Sequence, residues 1–380
     1  MSRTTTALVV SELKGPFELK EICLDEIRPD EALVEIHASG ICHTDLSCAN
    51  GTLPCTAPAV LGHEGAGIVL ATGSSVTNVS KGDKVLLSFS YCETCAACKS
   101  GYPSYCHTFN DRNFGGKRPD GTAAASITTI TDKDGQKQTP LHSTFFGQSS
   151  FARHTLAHKT SLVKVPPETD LALFAPLGCG IQTGAGAILN TLDSKPGSSV
   201  AVFGVGSVGL SAVMAAGKIR KAATVIAIDR HASRLELAKR LGATHAILAG
   251  PETDVAAEIR KICPPLGVDS AVDTTGVPAV IETMISALTA KGRGATVGAP
   301  GPGVRASIEI MDHLALGRSY MGCCEGDSVP HEFIPYLIER HAKGELPLEE
   351  FITYYSLSEY NKAFRDSHDG TTIKAVLRWE

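Results

Sequence analysis

Residues 199–229 impose the tightest constraint on the fold: an apolar strand, a glycine turn, a helix, and a second strand that ends in a carboxylate. Val200-Ala201-Val202-Phe203 runs directly into Gly204-Val205-Gly206-Ser207-Val208-Gly209. A GxGxxG string is common by itself. Between a strand and a helix it gains a purpose, because glycines permit a tight turn and let backbone approach a pyrophosphate whose charge faces the helix N-terminus. Asp229 closes the next strand twenty-five residues after Gly204, where a carboxylate can accept hydrogen bonds from both adenosine ribose hydroxyls. Its negative charge would repel a 2′-phosphate and so favours NAD, although Arg230 and Arg234 could neutralise such a phosphate and keep NADP open. The alternation continues, with strands expected at 199–203, 224–228, 245–248, 269–273 and 294–297, and helices at 209–220, 232–241, 255–263 and 279–288. Repeated β-α-β of this kind spells an α/β doubly wound parallel sheet, the Rossmann architecture.

A second constraint is local. Cys92, Cys95, Cys98 and Cys106 form C-x2-C-x2-C-x7-C within fifteen residues, a spacing that suits a closed tetrahedral zinc site in a lobe at about 91–107. A ferredoxin-type run needs a last gap of three residues and a following proline, whereas this gap is seven and His107 follows. Haem attachment fails as well, since Lys99 and not histidine follows Cys98.

The 380 residues are 43% hydrophobic, enough to bury a substantial core in two domains. A formal net charge of −5 gives no electrostatic reason to expect nucleic acid or an anionic membrane as partner, which leaves small-molecule chemistry. No signal-peptide pattern opens the chain and no apolar run approaches the ~20 residues of a bilayer span, so a soluble, cytoplasmic protein is expected. The cysteines outside metal-like settings are Cys23, Cys48, Cys55, Cys263, Cys323 and Cys324; with one adjacent pair among them, they fit reduced thiols.

Up to about residue 164 the text is short β-rich runs broken by glycine and proline, such as Ala32-Leu33-Val34-Glu35-Ile36-His37. Residues 110–140 are polar and poorly patterned and read as a long excursion. After the nucleotide segment the elements shorten again, so the chain is expected to rejoin its first domain. The expected division is 1–178 with 325–380 for one domain and 179–324 for the other.

Three further potential ligands stand far apart: Cys42, His63 and Cys179. Each alone is as readily a buried thiol or a core histidine, and spacing cannot join them. Gly62-His63-Glu64 with Gly67, Gly73 and Val76 behind it, the four-cysteine lobe, and the glycine turn at Gly204, Gly206 and Gly209 together resemble the zinc-containing medium-chain alcohol dehydrogenase family, in the same order along the chain. The text is most similar to microbial benzyl and aryl-alcohol dehydrogenases through Asn113-Phe114, Arg118, Phe145-Phe146-Gly147-Gln148 and Gly178-Cys179-Gly180-Ile181-Gln182-Thr183.

That resemblance implies a GroES-like β-rich catalytic domain beside the Rossmann domain, two zinc ions per subunit, and reversible hydride transfer between NAD(H) and a primary alcohol or aldehyde, aromatic or bulky. It implies that Cys42, His63 and Cys179 bind a catalytic zinc with one position left open, that Glu64 is a nearby carboxylate that approaches the same metal transiently, and that Asp45 fixes the His63 tautomer. Thr44 would begin a proton relay, Thr183 would lie against the nicotinamide, and Arg234 and Lys374 would serve the cofactor's charges, Lys374 at the pyrophosphate. His43 stands where many relatives carry an arginine, and Ser47 where many carry the relay's histidine, so water, Ser47 or His43 would have to finish the relay. Expected pocket walls are Leu53, Phe145 and Phe146, with Phe109 and Phe114 from the excursion and Ser88 widening the site. A homodimer is expected, with a tetramer the next choice. Competing functions are a glutathione-dependent formaldehyde dehydrogenase with Arg112, Lys117 or Arg118 at the pocket mouth, a polyol dehydrogenase, and a non-catalytic dinucleotide-binding protein.

Overall fold

The computed structural model describes residues 3–131 and 135–379. It divides into two compact units, one of Met1–Cys179, Val329–Pro335 and Glu349–Glu380, the other of Gly180–Ser328 and Tyr336–Leu348. One boundary between the units falls inside the helix Pro330–Ala342, at Pro335. No glycine or change of composition marks that point in the sequence, which is why it escaped a reading by pattern.

The first unit is built on two sheets. One runs in the order Ala59–Val60, Arg3–Val10, Phe17–Leu24, Ala125–Thr131, Gly135–Leu141. The other runs Leu162–Lys164, Lys84–Leu87, Glu64–Thr72, Glu31–Gly40, Lys374–Arg378, Ile352–Ser356, with His154–His158 also paired to Glu31–Gly40. Strand Glu31–Gly40 is covered by so many neighbours that its burial is nearly continuous instead of alternating. The expected irregular excursion at 110–140 is in part regular: it holds the helix Phe109–Phe114 and an antiparallel hairpin that extends the first sheet. Its polar strands, with Ser126 bonded across to Gln138 at 3.1 Å, lack the apolar alternation that announces a half-buried strand.

Register in the second sheet assembles the chemistry. Gly40 lies opposite Glu64 and also opposite Val376, so three chain segments distant in sequence end side by side. A Cβ on Gly40 would come within 2.0 Å of Glu64 Oε2, so only glycine leaves room for that carboxylate.

The second unit holds a six-stranded parallel sheet in the order His245–Leu248, Thr224–Asp229, Ser199–Phe203, Val268–Asp273, Leu288–Thr296, Ser319–Gly322. Numbered along the chain this is 3-2-1-4-5-6, the doubly wound order with its switch point beside Ser199–Phe203. Its core gathers Phe203, Ile226, Ile259, Met284 and Leu288. The helix expected at 209–220 begins earlier, at Ser207, and closes in a π-turn at Ala215–Ile219.

Candidate metal centres and nucleotide site

Cys42 caps the helix His43–Ala49, and its N–H donates to Asp45 Oδ2 at 3.0 Å. The other oxygen of Asp45 accepts from the Gly62 N–H at 3.0 Å and from His63 Nδ1 at 2.8 Å. One fully buried carboxylate thus fixes the backbone beside two of the expected ligands and the tautomer of the third group it touches. With its Nδ1 proton committed, His63 presents Nε2 as a buried atom without a hydrogen-bond partner. Ligand atoms of Cys42, His63, Glu64 and Cys179 all lie within 4.8 Å of one another. An orphaned imidazole nitrogen facing two sulfurs fits a zinc ion.

The electrostatics favour the same conclusion. A hydrogen bond from Cys179, then the nearby imidazole and ammonium, hold the Cys42 thiol well below its ordinary pKa against the opposing effect of burial. Burial works against a charge on His63, but Asp45 and the Cys42 sulfur outweigh it and raise the imidazole well above its ordinary value. The site is thus a buried field that attracts a cation, for which a proton and a metal ion compete.

The Cys179 side of the centre rests on close backbone packing. A Cβ on Gly178 would lie 2.0 Å from the Leu87 carbonyl oxygen, and the Gly178 carbonyl accepts the Ser88 hydroxyl at 2.7 Å. Ser88, expected to widen the substrate site, is fully buried and braces the backbone beside Cys179. Phe145 and Phe146, expected as pocket walls, are also buried, Phe146 stacked on the His63 ring at 4.5 Å and Phe145 edge-on at 5.5 Å. Phe114 packs on both, and Phe109 on Phe146. Leu53 is half-buried at the margin of this core. Thr44 is half-buried, Ser47 buried and His43 exposed, so of the expected relay residues His43 has the direct access to water.

Two residues near the centre have partners that sequence reasoning did not supply. Gln148 is fully buried, donates to the carbonyls of His63 at 2.9 Å and Ser88 at 3.0 Å, and accepts from Gly65 N–H at 3.1 Å. A glutamine in an apolar stretch was the available signal, since a buried amide must find partners. Lys374, expected at a pyrophosphate, has other partners: its ammonium donates to both oxygens of Glu64 at 2.8 Å and to the Ile41 carbonyl at 3.2 Å. The adjacent strands Glu31–Gly40 and Lys374–Arg378 bring it there, a pairing invisible in sequence.

The four-cysteine lobe closes on itself. Cys95 and Cys98 sulfurs are 3.5 Å apart, and those of Cys92 and Cys98 3.9 Å. Backbone N–H groups of Cys95, Cys92 and His107 donate to the sulfurs of Cys92, Cys106 and Cys95. Partial burial opposes a charge on Cys92, but the Thr94 hydroxyl and the N–H groups of Cys95 and Thr94 bring its thiol down to about 5. Converging sulfurs with N–H donors are the environment of metal-bound thiolates.

In the nucleotide-binding unit each glycine of the turn has a separate reason. Gly204 has φ +83°, which other residues avoid; a Cβ on Gly206 would meet nothing within 4 Å; a Cβ on Gly209 would strike the Gly204 carbonyl at 1.9 Å. These are the tight turn, the open approach and the close helix packing that a pyrophosphate site requires. Asp229 is buried, accepting from Val205 N–H at 2.8 Å and His231 N–H at 2.9 Å. Arg234 is half-buried on the following helix, and Arg230 is exposed. Thr183 is buried and donates to Glu325 at 3.4 Å, a partner the sequence did not suggest.

Known proteins resemble the chain along its whole length. Residues 28–167 match the alcohol dehydrogenase GroES-like domain, and residues 207–343 the zinc-binding dehydrogenase domain. A geraniol dehydrogenase of Castellaniella defragrans is 40% identical over 98% of this chain and 96% of its own length. An S-(hydroxymethyl)glutathione dehydrogenase of Escherichia coli is 36% identical over 96% of each. The crystal structure of a benzyl alcohol dehydrogenase from Acinetobacter calcoaceticus, 40% identical, superposes with a TM-score of 0.93 over 100% of both chains.

Proposed function

Since the chain belongs to the zinc-containing medium-chain alcohol dehydrogenase family, a zinc-dependent alcohol oxidoreductase, we propose that it uses NAD to interconvert an aromatic or similarly bulky primary alcohol and its aldehyde. The observation that carries the reading is the unpartnered His63 Nε2 facing Cys42 and Cys179 in a buried site.

In this reading Cys42, His63 and Cys179 hold the catalytic zinc, and Cys92, Cys95, Cys98 and Cys106 a second, structural one. A zinc ion held there would supply Lewis acidity toward an alcohol oxygen, and a nicotinamide cofactor would supply the hydride acceptor. Asp45 keeps His63 in the liganding tautomer, and Phe145 and Phe146 exclude water from its ring. Thr44 accepts the substrate's hydroxyl proton, and exposed His43 passes it to water in place of the missing histidine at Ser47. Gly204, Gly206 and Gly209 receive the pyrophosphate, while Asp229 disfavours a 2′-phosphate.

Relatives named for benzyl alcohol and geraniol, each 40% identical, support a bulky substrate over a small one. The 36% identical S-(hydroxymethyl)glutathione dehydrogenase keeps a glutathione adduct as the second reading. Against it, Arg118 is buried and engaged with Glu31 at 2.6 and 2.9 Å and with Asp25 at 2.6 Å, which withdraws one of the cations expected to meet glutathione carboxylates. None of the twelve cysteines is paired in a disulfide, which supports a cytoplasmic setting. Among the described residues no single helix is long and apolar enough to cross a membrane. Ile310, Met311 and Leu314 are 72%, 68% and 67% exposed on the helix Ile310–Leu316, close in sequence to the edge strand Ser319–Gly322, which supports self-association as a dimer.

The test is absorbance at 340 nm with zinc-replete protein, NAD or NADP, and benzyl alcohol, hydroxymethylglutathione or sorbitol. Fast benzyl alcohol oxidation with NAD, lost to a zinc chelator, is the expected result. Turnover confined to the glutathione adduct would overturn the substrate assignment.

A further inference from the structure

A small cleft in the first unit lies where the helix Phe109–Phe114, the loop after it, the turn Phe145–Gly147 and the strands Glu31–Gly40 and His154–His158 meet. Its volume is about 20 Å³. A cavity needs roughly 10–15 Å³ to take one water, so the cleft admits a single body of that size and is too small for a phosphate or a sulfate.

The charges that line it do not balance. Arg118 is matched, since its guanidinium donates to Glu31 at 2.6 and 2.9 Å and to Asp25 at 2.6 Å. His158 lies 3.3 Å from Asp30. Arg112 and Lys117 have no carboxylate within ion-pair distance among the described residues. Two donors of the same lining are also unsatisfied: Arg112 Nη1 and Thr144 Oγ1 are buried atoms without a hydrogen-bond partner, and Thr144 is 7% exposed. The guanidinium is held in place. Its Nε donates to Thr108 Oγ1 at 3.1 Å, and the next residue, Asn113, is fully buried and bonded both ways to the Ser90 backbone, at 2.8 and 3.0 Å. A charged donor shielded from water and without an anion is costly, and an unsatisfied hydroxyl beside it adds to the cost. A water would satisfy the donors but leave the positive charges unmatched.

We propose that this cleft binds one monovalent anion of halide size, held by Arg112 Nη1 and Thr144 Oγ1, with Lys117 exposed at the rim. The ion ties the helix Phe109–Phe114 to the residue that precedes the turn Phe145–Gly147. Those two segments supply the aromatic rings around His63: Phe145 and Phe146 lie against the imidazole, Phe114 packs on both, and Phe109 on Phe146. Halide therefore stabilises the packing behind a metal-ligand candidate without touching the metal, whatever reaction the chain catalyses.

The test follows the melting temperature of the zinc-loaded protein as sodium bromide replaces sodium acetate at constant ionic strength, for wild type, Arg112→Gln and Thr144→Val. Wild type is expected to rise along a saturable curve by about 2 °C or more, and each variant to need at least about tenfold more bromide or to show no rise. Bromide on the catalytic zinc would raise all three alike, so an equal response overturns the proposal. Anomalous diffraction from wild-type crystals soaked at the highest bromide concentration used in solution locates the ion even if neither variant folds. A peak in the cleft between Arg112 and Thr144 is expected. No peak there overturns the proposal, and so does a peak without a saturable rise in solution, which is an adventitious ion only.

Discussion

Lys374 Nζ lies 2.8 Å from each carboxylate oxygen of Glu64, and both side chains are buried beside the Cys42–His63–Cys179 centre. Burial pushes the Glu64 carboxyl up, and the ammonium opposes that effect. Burial likewise pulls Lys374 down, but Glu64 and the Cys42 sulfur more than offset it. An ion pair in such a place stabilises little by itself, yet removing one partner strands the other. Lys374→Met is therefore expected to destabilise the protein by about 3 kcal/mol, and Lys374→Met with Glu64→Leu to recover most of that loss. Denaturant unfolding of the single and double variants measures it. A double variant as unstable as the single would show that the lysine acts through something other than Glu64.

Asp45 is the common anchor of the Cys42 backbone, the Gly62 backbone and the His63 ring. Asp45→Asn keeps the shape but weakens all three contacts and removes the demand for one tautomer of His63. Loss of such a partner lowers metal affinity by roughly 10- to 100-fold. Competition with a chromogenic chelator reads the change directly, and an affinity within about twofold of wild type would remove Asp45 from the account.

The cysteine lobe should be separable from the chemistry. Cys95→Ser removes one sulfur of the cluster of Cys92, Cys95, Cys98 and Cys106, which shares no ligand with the other centre. Zinc content is expected to fall from about two to about one per chain, with a lower melting temperature and turnover retained per remaining ion. Loss of both ions together would contradict two independent sites.

Much of this arrangement was legible in sequence because it is local. The cysteine lobe lies within fifteen residues, and the glycine turn sits between its own strand and helix, so periodicity and spacing sufficed. The cluster of Cys42, His63 and Cys179 was different: the three could be joined only by resemblance, since pairing of Gly40 with Glu64, and not sequence distance, sets Cys42 beside His63, and Cys179 arrives from a separate turn. The same cause hides the contact of Lys374 with Glu64, which strand pairing through Gly40 brings together across more than three hundred residues. Ser88, Phe145 and Phe146 lie in the expected neighbourhood, but their contacts with the Gly178 carbonyl and the His63 ring are tertiary facts that a residue type does not reveal. Gln148 and Glu325 went unassigned since hydrogen-bond partners of buried polar groups are tertiary facts.

Asp229 has two duties that mutation can separate. Its oxygens hold the Val205 and His231 N–H groups at 2.8 and 2.9 Å, and its charge stands at the end of the strand where an adenosine ribose would lie. Asp229→Asn keeps an acceptor for the loop and removes the negative charge, while Arg230 and Arg234 stay beside it. The ratio of kcat/KM for NAD to that for NADP is expected to fall by roughly 10- to 100-fold, since about 1.4 kcal/mol of lost repulsion corresponds to a factor of ten. Asp229→Gly removes the loop's acceptor as well, so it should lower the rate with NAD further than Asp229→Asn does. An unchanged ratio in Asp229→Asn would mean that the carboxylate serves the glycine loop alone and that cofactor choice is made elsewhere.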